Sequence, residues 1–412
     1  MIYGLLGEHL SHSYSPLIHS MLGDYEYRLI EKAPEEVEEF IKSGDYQAIN
    51  VTIPYKKTVM PFLDEISERA QAIGSVNVVV RRPDGTLFGD NSDWGGFVSL
   101  VKKSRIQIKG KKVLVLGDGG ASVTVQAVLR NMGARVVQVI SLFGDDNYDN
   151  IERHADAEVI VNATPVGMYP KNGERLVDLD MFPRLSGVLD VIYNPYKTAL
   201  VLDAERRGIP ALGGLRMLVA QAVKANEMFF SSPQKPGVTD AIEKRIAAMM
   251  KNVVLIGMPG SGKTTIAKRV AELTGREFVD IDAEIVKVAK KTIPEIFAED
   301  GEEAFRRLET QVTGEVCKRS GCIISTGGGV VTRPENRDLV RQNSTVIFIK
   351  RDLNKLATRG RPLSETTSAE ALWNARSPMY NAWSDVKMLN MGISHTAGAI
   401  IRALHLNTKK GE

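Results

Sequence analysis

Cysteine is almost missing from this sequence: Cys317 and Cys322 are the only two in 412 residues. Two thiols without zinc-site partners exclude a disulfide framework or a metal staple, and a reducing cytoplasm is expected. A dominant charge is missing as well. Lys+Arg 53 against Asp+Glu 50 leaves a formal net charge of +3, which speaks against a nucleic-acid or membrane-surface partner. Apolar runs are short, and none approaches the roughly 20 residues of a membrane-spanning helix. Met1–Leu10 has neither the basic start nor the apolar stretch of a signal peptide. There is no internal repeat and no low-complexity tract. Small-molecule substrates are therefore the expected partners, and nothing in the sequence reads out an oligomeric state.

What is present is an ordinary globular composition, 43% hydrophobic and 25% charged, in a chain long enough for two or three domains of about 150 residues. Short β-branched runs alternate with amphipathic stretches, the pattern of α/β domains with parallel sheets. The expected strands are Ile49–Thr52, Val76–Val80, Val113–Leu116, Val136–Ile140, Val159–Asn162 and Val188–Ile192, then Val253–Ile256, Cys322–Ser325 and Thr345–Ile349. Helical periodicity covers Val123–Met132 and Leu215–Phe229. The stretch Ser231–Gly237 holds two prolines and a glycine and cannot continue a helix. A new helix is expected near Asp240, with Glu243 as capping partner. The chain should divide near residue 235, with a softer boundary at the basic stretch Lys102–Lys112.

Gly257-Met258-Pro259-Gly260-Ser261-Gly262-Lys263-Thr264 is a complete Walker A pattern between an apolar strand and a helical run. Its glycines let backbone N–H groups curl around phosphate oxygens, and the helix N-terminus adds partial positive charge. Lys263 would reach the β- and γ-phosphates of ATP and the Thr264 hydroxyl would ligate Mg²⁺. Asp280-Ile281-Asp282 ends an apolar run, and carboxylates at alternate positions should share one side of a strand. Phe305-Arg306 with Glu309, the triplet Gly327-Gly328-Gly329, Arg361-Pro362-Leu363 and Arg376-Ser377-Pro378 follow. Any one of these arginines alone would more often be a solvated helix residue.

In this order after a Walker A, the set resembles shikimate kinase across residues 251–412. The resemblance implies that Asp280 assists Mg²⁺ beside Thr264, while Asp282 holds substrate hydroxyls and is the candidate base. Arg306 and Arg376 would grip the substrate carboxylate, Gly328 and Gly329 would face its ring, and Arg361 would belong to a lid over the phosphates. Gly257, Gly260, Ser261, Gly262, Lys263, Thr264 and Thr265 would hold ATP. Two guanidinium forks are what a compact carboxylated polyol requires.

The first half opens with His12-Ser13-Tyr14-Ser15-Pro16 and His19 beyond; Ser15-Pro16 reads as a helix start with Ser15 as N-cap. Asn50-Val51-Thr52-Ile53-Pro54-Tyr55-Lys56 is a strand running into a polar turn, and a lysine there is more often solvated than catalytic. Asn77 and Gly89-Asp90-Asn91-Ser92-Asp93 follow, with Asp93 placed where it could simply cap a helix. Val113–Leu116 leads into Gly117-Asp118-Gly119-Gly120-Ala121-Ser122, a dinucleotide-binding entry whose third fingerprint glycine is replaced by Ser122. Asn162-Ala163-Thr164 and Asp190–Pro195 are polar tips on apolar strands, at the sheet edge where α/β ligands bind.

Together these motifs resemble shikimate dehydrogenase across residues 1–230. The resemblance implies Lys56 and Asp93 as the catalytic pair, and Ser13 and Ser15 on the substrate carboxylate. Asn50, Thr52, Asn77 and Gln221 would bind ring hydroxyls or the carboxylate region, with Tyr193 nearby. Gly117, Gly119, Gly120 and Ala121 would carry the cofactor pyrophosphate, with Thr164, Met168, Gly214 and Met217 completing the NADP(H) site. Where the family usually places an arginine for the 2′-phosphate, this chain has Ser141-Leu142-Phe143, so NAD stays open as an alternative.

The expected fold is α/β throughout. A substrate domain, 1–100, is completed by the helix 214–230, and a Rossmann dinucleotide domain spans 101–213. A linker and connecting helix, 231–250, lead to a P-loop domain of nucleoside-monophosphate-kinase type, 251–412. The implied function is bifunctional: NADP(H)-dependent reduction of 3-dehydroshikimate to shikimate, then ATP/Mg²⁺-dependent phosphorylation of shikimate. Two other readings stand beside it, a non-catalytic dehydrogenase-like module fused to the kinase, and an NAD-preferring quinate/shikimate dehydrogenase.

Overall fold

The computed structural model describes residues 2–10, 13–356 and 368–409. The chain forms two compact units. One comprises residues 1–168, 174–193 and 203–246, the other residues 169–173, 194–202 and 247–412.

The first unit holds two sheets. The N-terminal one has six strands in the order Tyr27–Glu31, Tyr3–Gly7, Ala48–Val51, Val78–Arg81, Leu87–Asp90 and Glu65–Ile66. It is mixed, whereas the sequence pattern suggested parallel sheets: Val78–Arg81 runs antiparallel to both Ala48–Val51 and Leu87–Asp90. The cause is local. Pro83-Asp84-Gly85 makes a tight hairpin in which the Arg82 N–H donates to the Thr86 carbonyl at 2.8 Å and Gly85 takes φ +88°. The second sheet is parallel, in the order Ala211–Leu212, Gly187–Asp190, Val159–Asn162, Lys112–Leu116, Val136–Ile140. Its order reverses direction at Lys112–Leu116, so the glycine turn emerges at a topological switch point.

The second unit carries a five-stranded parallel sheet in the order Phe278–Asp280, Ile323–Ser325, Asn252–Ile256, Ser344–Lys350, Val386–Leu389. Alternate residues of its central strands feed separate cores: Val254, Ile256, Val346 and Phe348 on one face, Val253, Leu255, Ile347 and Ile349 on the other. Burial on both faces is why these runs read as continuous apolar stretches. Here too the phosphate-loop strand sits where the order reverses.

The helix after the Pro/Gly stretch spans Val238–Met250 and starts directly after Gly237. Asp240 and Glu243, expected at its start as a capping pair, instead take the guanidinium of Arg216, at 2.9 and 3.0 Å. A charged partner on the helix Leu215–Phe229 outcompetes local capping. Among the described residues no helix is long and apolar enough to cross a membrane.

Candidate active sites

The site of the first unit begins with the turn after Ala48–Val51. Tyr55 is buried, its N–H donating to the Thr52 carbonyl and its hydroxyl to the Lys32 carbonyl. With Tyr55 so anchored, Lys56 turns inward while Lys57 faces solvent. Lys56 Nζ donates to Asp93 Oδ2 at 2.6 Å. Asp93 sits in the first turn of the helix Ser92–Ser104, but the cap is Asn91, whose side chain accepts from the Trp94 N–H. Because Asn91 caps, the Asp93 carboxylate is left for the lysine. Asn77 Oδ1 accepts from the Ser92 N–H at 2.7 Å, tying its side chain to the same helix start.

Ser15 opens the helix Ser15–Ser20 as its first residue rather than its N-cap, which is Tyr14. Ser13 supplies the capping contact instead, its Oγ accepting from the Ser15 N–H at 3.1 Å. The proline at the second helical position fixes the backbone early enough to draw Ser15 into the helix. His12 lies outside the described residues.

These groups meet in a cavity of about 260 Å³. Ser13, Ser15, Asn50, Thr52, Lys56, Asn77 and Asp93 line one part of it, and Tyr193 and Gln221 another. Ala121, Gly214 and Met217, expected at the cofactor, line the same cavity. The glycine turn lies beside it. A side chain on Gly117 would meet the Thr164 methyl at 2.5 Å, whereas a Cβ on Gly119 or Gly120 would meet open space. That open cradle at the start of the helix Gly120–Asn131 fits a pyrophosphate. Ser122, in place of the third glycine, is buried and accepts from the Gln126 amide, so the turn tolerates it. Met168 does not line the cavity and is 44% exposed.

In the second unit Gly257, Gly260 and Gly262 all have positive φ, at 146°, 79° and 95°, curling the loop at the start of the helix Lys263–Thr274. Lys263 is buried and donates to the Gly257 and Met258 carbonyls at 2.9 and 3.0 Å. Ser261 Oγ is buried with no hydrogen-bond partner among the described residues, and Thr265 is exposed on the following turn. A buried hydroxyl left unpaired inside a curled loop fits an oxyanion ligand.

Thr264 Oγ1 donates to Asp280 Oδ2 at 3.1 Å and lies 3.0 Å from Ser325 Oγ. Asp280 and Asp282 do not share a strand face. The strand stops at Asp280, which caps the helix Ile281–Ala289 by accepting from the Ala283 N–H, and Asp282 falls in the first helical turn. Capping overrode the alternation. Burial, then the Asp280 and Glu309 carboxylates, push the Asp282 carboxyl up to about 6.

Arg306 is held by Glu309 Oε2 at 2.7 Å and by Glu302. The flanking glycines make room for it: a Cβ on Gly329 would fall 2.0 Å from the Arg306 guanidinium, and one on Gly327 would crowd Asp282 and Glu309. Gly328 offers its carbonyl to Arg376 at 3.2 Å and to the Tyr380 hydroxyl. Lys263, Thr264, Asp282, Arg306, Gly328, Gly329 and Arg376 line one cavity of about 250 Å³. Arg361 lies outside the described residues.

Sequence reasoning passed over several residues. His19 lines the first cavity; its i+4 spacing from Ser15 was the available signal. Glu309, noticed beside Arg306 but given no role, is fully buried against it. Arg351 donates to the Gly260 carbonyl and Asn390 to that of Ser261, each just past the end of a sheet strand.

Comparison with known proteins agrees with this division. Residues 5–79 match the shikimate dehydrogenase substrate binding domain and residues 259–404 match shikimate kinase. The shikimate dehydrogenase (NADP(+)) of Clostridium beijerinckii is 35% identical over 246 residues, 55% of this chain and 91% of that protein. Among solved structures, the chorismate mutase/shikimate 5-dehydrogenase fusion protein from Clostridium acetobutylicum is 36% identical at a TM-score of 0.57, covering 60% of this chain and 96% of that one. The shikimate 5-dehydrogenase from Listeria monocytogenes, in complex with shikimate and NAD, is 28% identical at a TM-score of 0.54, covering 60% and 96%. The chain belongs to the shikimate dehydrogenase family and joins to it a shikimate kinase domain, an enzyme of the shikimate pathway with an oxidoreductase and a phosphotransferase in one polypeptide.

Proposed function

We propose that the first unit reduces 3-dehydroshikimate to shikimate with NADP(H), and that the second phosphorylates shikimate with ATP. One type of observation carries both halves: each cavity is lined at once by the substrate-type residues and by the nucleotide element. Ala121 shares the first with Lys56 and Asp93, and Lys263 and Thr264 share the second with Asp282, Arg306 and Arg376.

In the first unit Gly117, Gly119, Gly120 and Ala121 would hold the pyrophosphate of the dinucleotide, with Thr164, Gly214 and Met217 completing its site, and its nicotinamide would supply the hydride when bound. Met168 completes the cofactor site by resemblance alone. The protein's part is positional and electrostatic. Lys56 Nζ donates a proton to the substrate oxygen as negative charge grows there, and takes it back in the reverse direction. Asp93, 2.6 Å from that nitrogen, orients the ammonium and accepts from the hydroxyl of shikimate. Asn50, Thr52, Asn77 and Gln221 bind the ring hydroxyls or the carboxylate region, Ser13 and Ser15 hold the carboxylate, and Tyr193 lines the same cavity.

In the second unit Arg306 and Arg376 take the carboxylate of shikimate and Asp282 accepts the proton of the attacking hydroxyl. Gly257, Gly260, Ser261, Gly262, Lys263 and Thr265 serve the ATP phosphates, with Arg361 over them by resemblance. A magnesium ion would be held by the Thr264 hydroxyl and the Asp280 carboxylate, hard oxygen donors that already converge, and would screen phosphate charge.

A second reading of the cofactor has its own observation. Leu142 and Phe143 are 72% and 97% exposed after the strand Val136–Ile140, and 141–147 contains no lysine or arginine. Asp146 in the same loop is taken up by Gln138 and His154. This favours weak discrimination between NADP(H) and NAD(H). Steady-state oxidation of shikimate with NADP⁺ and with NAD⁺, and ADP release from ATP with shikimate, test the assignment. Absence of either reaction refutes the corresponding half.

A further inference from the structure

His19 sits in the wall of the first cavity with a hydrogen-bond chain behind it that fixes where its proton lies. The chain starts at a backbone carbonyl, whose role as acceptor is not negotiable. Gln234 Nε2 donates to the Leu22 carbonyl at 3.4 Å and to Asn226 Oδ1. With Asn226 Oδ1 accepting, Asn226 Nδ2 donates to the Tyr25 hydroxyl oxygen at 2.8 Å. The Tyr25 hydroxyl then has its proton left for His19 Nδ1, its other partner. Burial pushes the Tyr25 phenol up to about 12, so it stays a donor. Nδ1 is thereby an acceptor, and a neutral ring must carry its hydrogen on Nε2.

The ring is held neutral and in plane by its neighbours. It stacks on Tyr27 with centroids 3.9 Å apart and planes 12° apart, and on Phe229 at 5.7 Å and 21°. Burial in that sandwich pushes its pKa down to about 3. The residue is 1% exposed, and among the described residues no group stands in full hydrogen-bond geometry to Nε2, although the Asn50 side chain is close enough to favour the ring's charged form. A buried N–H without a well-placed acceptor has lost its hydration with nothing to replace it. That loss is removed if a ligand supplies the acceptor. His19 lies one helical turn beyond Ser15 on the same helix face, the end of the cavity given above to the substrate carboxylate.

We propose that His19 is a specificity-determining residue of the dehydrogenase unit, presenting a neutral Nε2–H donor to the carboxylate end of the substrate, with Tyr25, Asn226 and Gln234 as positioning residues that lock the tautomer. The proposal rests on the shikimate assignment of this cavity. It adds a ligand contact there, and it makes carboxylate recognition in this unit the work of neutral donors.

The test is nitrogen-15 NMR of the full chain labelled at histidine, with His19 assigned through a His19→Gln variant. In the free protein, Nε2 should be pyrrole-type and Nδ1 pyridine-type; saturating shikimate should shift Nε2–H. Kinetically, His19→Leu should raise KM for shikimate about tenfold with kcat little changed, the size of one hydrogen bond to a charged group. His19→Gln, which keeps an N–H donor at similar reach, should recover most of the loss. Tyr25→Phe should abolish the tautomer preference and raise KM about three- to tenfold. A pyridine-type Nε2, an Nε2 signal unmoved by shikimate, or equal defects in the Gln and Leu variants would each overturn the proposal. If wild-type protein oxidises shikimate while any of these holds, only the inference fails. If wild-type protein neither binds nor oxidises shikimate, the assignment beneath it fails.

Discussion

The ionisation of Asp282 should set the acid limb of the kinase reaction. Its carboxyl rises from 3.8 to about 6 because burial strips its hydration and because Asp280 and Glu309 lie close by. Two pKa units correspond to about 3 kcal/mol against the ionised form. A base must be ionised to accept the hydroxyl proton, so kcat/KM for shikimate should fall tenfold per pH unit below about 6. The terminal phosphate of ATP titrates in the same region, and Glu309→Gln separates the two. Removing that negative charge should move the limb to lower pH by a fraction of a unit, while the ionisation of ATP stays where it was. A limb near pH 4, or one that Glu309→Gln leaves in place, would refute the reasoning. Stability carries the opposite sign. A carboxyl whose folded pKa is raised favours the fold while protonated; that contribution is whole below about pH 4 and is lost as pH rises through about 6. Asp282→Asn should therefore be more stable than wild type at pH 7, by at most about 3 kcal/mol, with the difference fading at pH 4. Urea denaturation in a Trp94→Phe background, followed through Trp373 and Trp383, reads it.

Lys56→Ala should cost about 10²–10⁴ in the rate of shikimate oxidation and leave ATP-dependent phosphorylation unchanged; near-normal oxidation would remove Lys56 from its role. Lys263→Ala should weaken ATP binding measured by calorimetry, whereas Asp282→Asn should spare it while stopping turnover; equal losses of affinity would refute the division of labour. Leu142→Arg should raise kcat/KM selectivity for NADP(H) by about one to two decades, the worth of a charge-assisted contact of about 1.5–3 kcal/mol. A strong native preference for NADP(H), or no gain from the arginine, would show that the 2′-phosphate is met elsewhere.

The parallel sheets were legible because burial on both faces leaves continuous β-branched runs, and Val159–Asn162, buried at every position, falls where such a run does. The N-terminal sheet was harder to read. Tyr27–Glu31, with Arg28 and Leu29 exposed, is an edge strand with no apolar run to mark it, and Leu87–Asp90 pairs through a hairpin that parallel-sheet reasoning does not anticipate. Local capping was misread wherever a more distant partner competed. Asp240 and Glu243 went to Arg216, and Asn91 took the cap that left Asp93 for Lys56.

The site residues that were found and those that were missed differ in kind. Lys56, Lys263 and Arg306 stand in motifs whose spacing is set by a turn or a glycine loop, so a local stretch of sequence already carries the chemistry. His19 does not. Its neutrality depends on Tyr27 and Phe229, and its tautomer on Tyr25, Asn226 and Gln234, partners drawn from the beginning of the unit, from the helix Leu215–Phe229 and from the stretch that follows it. A histidine by itself can donate, accept or carry charge. Only the folded arrangement removes two of those choices, and that is why the residue could be seen in the sequence and still not be assigned.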